Sequence, residues 1–271
     1  MFPDHERVIS ALTADGDDLD RLVANLTPEQ WALATPAEGW TVAHQIAHLA
    51  ATFHLAGTAA SDPEGFAAMA ATLTPDFNAN VDGALQRFLD SSPATMLGRW
   101  HAVRAAAEKA LAAAPPDQPV PWLVRPLPPG VLAAAGMMEL FGHGQDIADA
   151  LGVHRTHTDR IRILVAFAVR VWDFGYLARD LTPPDVELGF DLTAPSGTQW
   201  QFGPADAAQR ITGPAVDLCL LATRRRHRAD LALTATGPDA ERWLDLAQAY
   251  RGPAGTGRQP GQFDHLKAAT S

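Results

Sequence analysis

The sequence predicts a helical bundle over residues 1–158 followed by a small α+β domain over residues 159–271. Three observations predict it. The first part carries apolar stripes of helical period, punctuated by prolines. Residues 186–192 then alternate apolar and polar, as a half-buried strand does. Pro195, Ser196 and Gly197 supply turn chemistry directly after it, and a second alternating run begins at Gln199.

A first helix is expected over residues 3–26, where Val8, Leu12, Leu19, Leu22, Val23 and Leu26 recur at helical spacing. Thr27 and Pro28 mark a capped short turn of helix, with proline at the first helical position. The next long helix starts near Thr41, which caps it, and Val42, Ile46, Leu49 and Phe53 form its inward stripe. Pro63, Pro75 and Asp76 mark a loop region around a short helical piece. A third helix is expected from about Asn80, interrupted near Ser91, Ser92 and Pro93, and continuing through Trp100 to Ala114. The prolines from Pro115 to Pro129 make the next stretch non-helical, and a fourth helix covers residues 131–151. Four long helices joined by mixed loops read as a bundle, whose interior is a usual place for a metal site.

In the second part, residues 161–180 read as one more amphipathic helix. Strands are expected at residues 186–192, 199–202, 210–212 and 231–235, with a helix over residues 214–222. A closing helix over residues 239–250 turns Trp243, Leu246 and Ala247 inward, and residues 252–262 form an irregular tail rich in glycine and proline.

The net charge of −10 argues against a nucleic-acid partner, which calls for a basic surface. The basic run Arg224, Arg225, Arg226, His227 and Arg228 reads first as a solvated edge or turn, with a phosphate-binding patch as the lesser reading. Cys219 is the sole cysteine, so no disulfide forms within the chain, and its apolar neighbours make it a buried small hydrophobe. The apolar runs are too short to span a membrane, and the N-terminus shows no secretory signal. A cytoplasmic protein with no membrane partner is expected.

Chemistry concentrates in two segments. Glu139 and His143 stand four residues apart, which puts them on one helix face a turn from each other. With His48 from a neighbouring helix, two imidazoles and a carboxylate can converge on one divalent ion. Such a set leaves a coordination position open, as catalytic rather than structural sites do. His44 shares a face with His48 and is an alternative ligand on spacing alone; His54 is out of phase and a lesser one. Asp146, three residues after His143, is placed to orient its imidazole.

Trp40, Thr41 and Val42 followed by Ala47, His48 and Leu49, with the later Glu139, His143 and Asp146, resemble the DinB-like helical bundle superfamily. Within it, the chain is similar to the branch holding the mycothiol-dependent maleylpyruvate isomerases, and to an actinobacterial metal-binding group. The likeness extends through Asp149 to Val153, Thr212 to Ala215 with Asp217, Arg225 to Asp230, Trp243 to Ala249 and the tail. The resemblance implies a four-helix bundle followed by a sterol-carrier-like α+β domain of the wyosine-base-formation type. It also implies His48, Glu139 and His143 as the metal triad, which sets His44 aside. Three positions depart from the group's pattern: Gly136 stands where arginine is frequent, Gly142 where alanine is usual, and Phe141 replaces a tryptophan. They read either as packing drift or as a reshaped, more apolar pocket.

Trp100, Trp122, Gly136 and Phe141 are the expected pocket-lining residues. Of Arg87, Arg99, Arg104 and Arg125, Arg104 is chosen as the guanidinium fork for an anionic substrate, and with Asp146 it completes the catalytic candidates. The expected function is a metal-dependent enzyme of isomerase or thiol-transferase type acting on a small organic substrate. Its expected cofactors are a divalent metal, zinc first, and mycothiol as the thiol; a homodimer is left open. The alternatives are a specialised cyclase or isomerase of secondary metabolism needing no metal, and a non-catalytic carrier of apolar ligands.

Overall fold

The computed structural model describes residues 2–89, 92–123 and 125–268. The chain divides into two compact units, one over residues 3–154 and one over residues 155–271.

In the first unit, α1 (His5–Val23), α3 (Val42–Ser61), α6 (Pro93–Ala113) and α7 (Pro129–Leu151) form the bundle. α3 packs against α6 and α7, and α1 packs against the same two. Short helices α2 (Pro28–Trp31) and α4 (Pro63–Ala70) fill the connections, and α5 (Phe77–Leu89) lies against α3. The inward stripe expected on α3 is buried, with Gln45 added to it. At Gly57 a Cβ would stand 3.0 Å from the Cα of Ala107, so glycine sets the close approach of α3 to α6. Phe53 meets Trp100 edge to face at 5.1 Å in the bundle core.

Local chemistry accounts for the ends. Asp4 accepts from the Arg7 N–H to cap α1, and Thr27 and Gln30 form a reciprocal capping box at α2. α7 ends in a Schellman motif, with Gly152 at φ 67° and the Val153 N–H reaching back to the Ala148 carbonyl. The interrupted third helix is two helices, α5 and α6, and Ser92 caps the second by accepting from Thr95. Ser91, expected at that break, lies outside the described residues.

The second unit holds α8 (Arg162–Arg170), α9 (Phe174–Leu177), α10 (Ala215–Ala222), α11 (Pro238–Leu246) and α12 (Asp264–Ala268) around a four-stranded sheet. Its strands are β1 (Leu188–Thr193), β2 (Gln199–Phe202), β3 (Gln209–Pro214) and β4 (Thr234–Thr236), in the order β2-β1-β3-β4. β1 runs parallel to β3, and the other neighbours are antiparallel. Phe190, Leu192, Ile211, Trp200 and Trp243 are buried in its core.

The single helix expected over residues 161–180 is broken between α8 and α9. The Trp172 carbonyl, which a continuous helix would give to Tyr176, instead accepts the Trp243 indole N–H at 2.9 Å. Gly175 then passes so close to the Leu246 carbonyl that a Cβ would lie 1.9 Å from it. The closing helix also stops early, at Leu246, where Ala247 turns extended; Leu244 rather than Leu246 is buried beside Trp243. Cys219 is buried, as its neighbours imply.

Candidate metal centre

His48 lies on α3, and Glu139 and His143 lie a turn apart on α7. Glu139 Oε2 stands 3.1 Å from His143 Nε2 and 3.6 Å from His48 Nε2. The three donor atoms fall within 4.8 Å of one another. A tetrahedral ion with bonds of about 2.0–2.1 Å holds its donors about 3.4 Å apart, so the two measured separations bracket the spacing zinc requires.

The His143 ring is fixed from behind. Its Nδ1 meets Gln45 Oε1 at 2.5 Å, deep in the bundle. The Gln45 amide N–H donates to Thr35 Oγ1 at 2.8 Å, and the Thr35 hydroxyl donates to the Trp40 carbonyl at 2.8 Å. A carbonyl at the end of this relay can only accept, so every proton along it has one direction. The relay leaves the His143 proton on Nδ1 and a lone pair on Nε2. That lone pair faces the Glu139 carboxylate. Two acceptors 3.1 Å apart call for a cation between them, so the donor set fits a metal ion.

Electrostatics agree. Burial raises the Glu139 pKa, but the neighbouring imidazoles, His143 and then His48, outweigh it and hold the group well below the usual carboxylate range, as a metal ion in the same place would. Glu139 is therefore ionised at neutral pH, and a divalent ion on this triad leaves a site charge of about plus one.

The loop before α3 covers the centre. The Thr35 N–H also donates to the Trp40 carbonyl, and the Val42 N–H to the Leu33 carbonyl, which pins the loop to the helix start. This seats the Trp40 ring 5.9 Å from His143, nearly parallel at 20°, and 5.3 Å from His48. Thr52, one turn after His48, places its hydroxyl 3.4 Å from the His48 Nε2.

Other expected residues fall elsewhere. His44 caps α3: its Nδ1 accepts from the Thr41 N–H at 3.2 Å and sits 2.7 Å from the Thr41 hydroxyl. His54 is exposed. Asp146, expected to orient the His143 imidazole, is fully buried on α7, one turn after His143. Arg104 serves no open anion site. It pairs with Asp17 at 2.7 Å, Asp20 at 3.1 Å and Glu108 at 3.3 Å, joining α6 to α1. Trp100 is core: it is fully buried and its indole donates to Asp20 at 2.6 Å. Trp122 stacks on Phe66 of α4, beyond the end of α3 remote from His48. At Gly136 a Cβ would meet Leu12 at 3.1 Å and Phe53 at 3.5 Å, so this position faces packed side chains. Phe141 is buried on α7.

Sequence reasoning missed Gln45 and Trp40. Trp40 sits in the motif that carries the resemblance, and Gln45 stands as a polar residue inside the apolar face of α3. That misfit is the signal that could have found it.

Comparison with known proteins bears on the family and the fold. Residues 12–148 match the family described as the mycothiol maleylpyruvate isomerase N-terminal domain, and residues 190–236 match the family described as wyosine base formation. Two proteins described as uncharacterized, from two strains of Mycobacterium tuberculosis, are each 43% identical over 250 residues, covering 92% of this chain and 97% of theirs. Crystal structures of the mycothiol-dependent maleylpyruvate isomerase and of a histidine-to-alanine mutant of it superpose with TM-scores of 0.59 and 0.58. Each is 16% identical, and the match covers 88% of this chain and 96% of theirs. Likeness at that identity carries the fold. The family match over the bundle and the long relatives carry more: the chain belongs to the mycothiol maleylpyruvate isomerase N-terminal domain family, in the DinB-like superfamily, with an α+β domain joined to its C-terminal side.

Proposed function

We propose that the protein is a metal-dependent enzyme of isomerase or thiol-transferase type, acting on a small organic substrate. The observation that carries this reading is the convergence of His48, Glu139 and His143 under a directed hydrogen-bond relay. His48, Glu139 and His143 hold the ion, with zinc first among the candidates. The bound ion supplies Lewis acidity and lowers the pKa of a thiol or water in its open position.

The chain's own residues set the conditions. Gln45 keeps the His143 proton on Nδ1 and aims Nε2 inward. Trp40 walls the centre with an apolar face, which limits water around charge developing there. A low-molecular-weight thiol such as mycothiol is the co-substrate this reading favours, since the solved fold relatives are named for a mycothiol-dependent isomerase. A pocket made apolar by loss of charge at Gly136 has no support in its packing against Leu12 and Phe53.

The test is turnover of maleylpyruvate by zinc-loaded protein, with and without mycothiol, monitored by absorbance. The expected result is thiol-dependent isomerisation that His48→Ala abolishes. Turnover that His48→Ala leaves intact would overturn the metal role. Absence of turnover with maleylpyruvate and related unsaturated dicarboxylates would overturn the isomerase assignment.

A further inference from the structure

The second unit contains a cavity of about 240 Å³ whose wall carries Arg179, Arg224, Arg226, Arg228 and Arg258 against one carboxylate, Asp245. The triad chemistry makes no use of it. Three features show that it is built.

Arg224 occupies a position where glycine is favoured. α10 ends in a Schellman motif: the Arg225 N–H donates to the Leu220 carbonyl and the Arg224 N–H to the Leu221 carbonyl, each at 2.8 Å. The residue at the turn must be left-handed, and Arg224 is, at φ 58°. α7 closes the same motif with Gly152. An arginine held in this conformation costs backbone energy that glycine would not, so its side chain has a use.

The tail leaves room for that side chain. Gly257 has φ 70°, and a Cβ on it would sit 2.6 Å from Arg224 Nη2. A larger residue at 257 would displace the guanidinium from the cavity.

The neighbouring cations are fixed in place. Arg179 Nη1 donates to the Gly175 carbonyl at 2.7 Å and the Leu246 carbonyl at 3.0 Å. Arg226 lies 3.8 Å over the Phe263 ring. Arg228 donates to Asp245 at 2.9 Å and Glu241 at 2.5 Å, which occupies the one carboxylate of the wall. Burial, and then the charge of Arg224, lower the pKa of Arg179, as expected where like charges face a shared space.

We propose that this cavity binds a phosphate group, either as the inorganic ion or as the phosphate of a small monoester. Five guanidinium groups line this small volume, Arg228 already holding its one carboxylate, and an arginine-rich lining of this kind suits a compact dianion with oxygens on every side. The volume accepts a phosphate and a few further atoms.

The experiment is calorimetry and thermal melting of the full chain with inorganic phosphate, glycerol phosphate and succinate at matched ionic strength. The variants are Arg224→Asn, which tolerates the left-handed backbone, and Arg258→Gln. The expected result is saturable phosphate binding to the wild type with a raised melting temperature. Each variant should bind about tenfold or more weakly, the loss of one charge-assisted fork. Glycerol phosphate binding at least as tightly as inorganic phosphate points to the monoester; weaker binding points to the free ion. No saturable binding at about 10 mM phosphate, or equal response of wild type and both variants, would overturn the site. Succinate binding as tightly as phosphate would overturn the assignment to phosphate.

Discussion

Gln45 and His143, 98 residues apart in the chain, are joined by a hydrogen bond of 2.5 Å between the amide oxygen and Nδ1. This contact sets which imidazole nitrogen faces Glu139. Gln45→Leu removes the acceptor and leaves the ring free to rotate or change tautomer. Metal affinity should fall about 10–100-fold, the usual effect of losing a partner that orients a ligand. Competition titration with a chromophoric chelator measures it. Unchanged affinity in a folded variant would show that the relay does not act on the centre.

Arg104 is a structural clamp. Arg104→Met leaves Asp17, Asp20 and Glu108 close together with no cation among them. Breaking a partly buried network of this kind costs about 3 kcal/mol. Urea unfolding should show the loss, while metal content per folded chain stays the same. A variant of full stability with impaired turnover would return Arg104 to the substrate.

Gly136→Arg tests whether that position opens on a pocket. The new side chain would be driven against Leu12, which is fully buried, and Phe53. A loss of about 3 kcal/mol or more is expected for forcing an unpaired charge into packed apolar surroundings. Full stability in the variant, read from the unfolding midpoint, would show that the arginine found space.

Asp217 gives a pH dependence of definite sign. Burial raises its pKa, against the lowering effect of the Ala232 N–H that its carboxylate accepts at 2.7 Å. A carboxyl with a raised folded pKa binds its proton more tightly when folded. The stability this lends is present below the unfolded value near 3.9 and is lost as pH rises through the folded value. Asp217→Asn keeps an acceptor for Ala232 and does not titrate. The wild type should therefore lose stability relative to the variant as pH rises from below the ordinary aspartate value, near 3.9, toward neutral. Denaturation midpoints across that range check it, and a slope of opposite sign would contradict it.

What the sequence made legible was local. Glu139 and His143 share a helix face by spacing alone, and the resemblance, not the apolar stripe of α3, singled out His48 as their partner. The cap at Thr27, the interruption at Ser92 and Pro93 and the end of the fourth helix at Leu151 marked helix ends that the structure bears out. What stayed hidden depends on partners far along the chain. Arg104 looked available because two of its three acids, Asp17 and Asp20, stand on α1, more than eighty residues earlier. The break between α8 and α9 depends on Trp243, 71 residues after the carbonyl it takes. His44 and His48 were equivalent by period, and only the Thr41 contact separates a capping histidine from a ligand.

The most direct test of the central claim is metal content. Protein purified without an affinity tag is loaded with zinc, freed of excess and analysed by plasma mass spectrometry. The wild type, His44→Ala and His54→Ala should each retain about one ion per chain. His48→Ala and His143→Ala should retain almost none. Equal metal in all five proteins, or loss in His44→Ala with retention in His48→Ala, would contradict the assignment of His48, Glu139 and His143 as the centre.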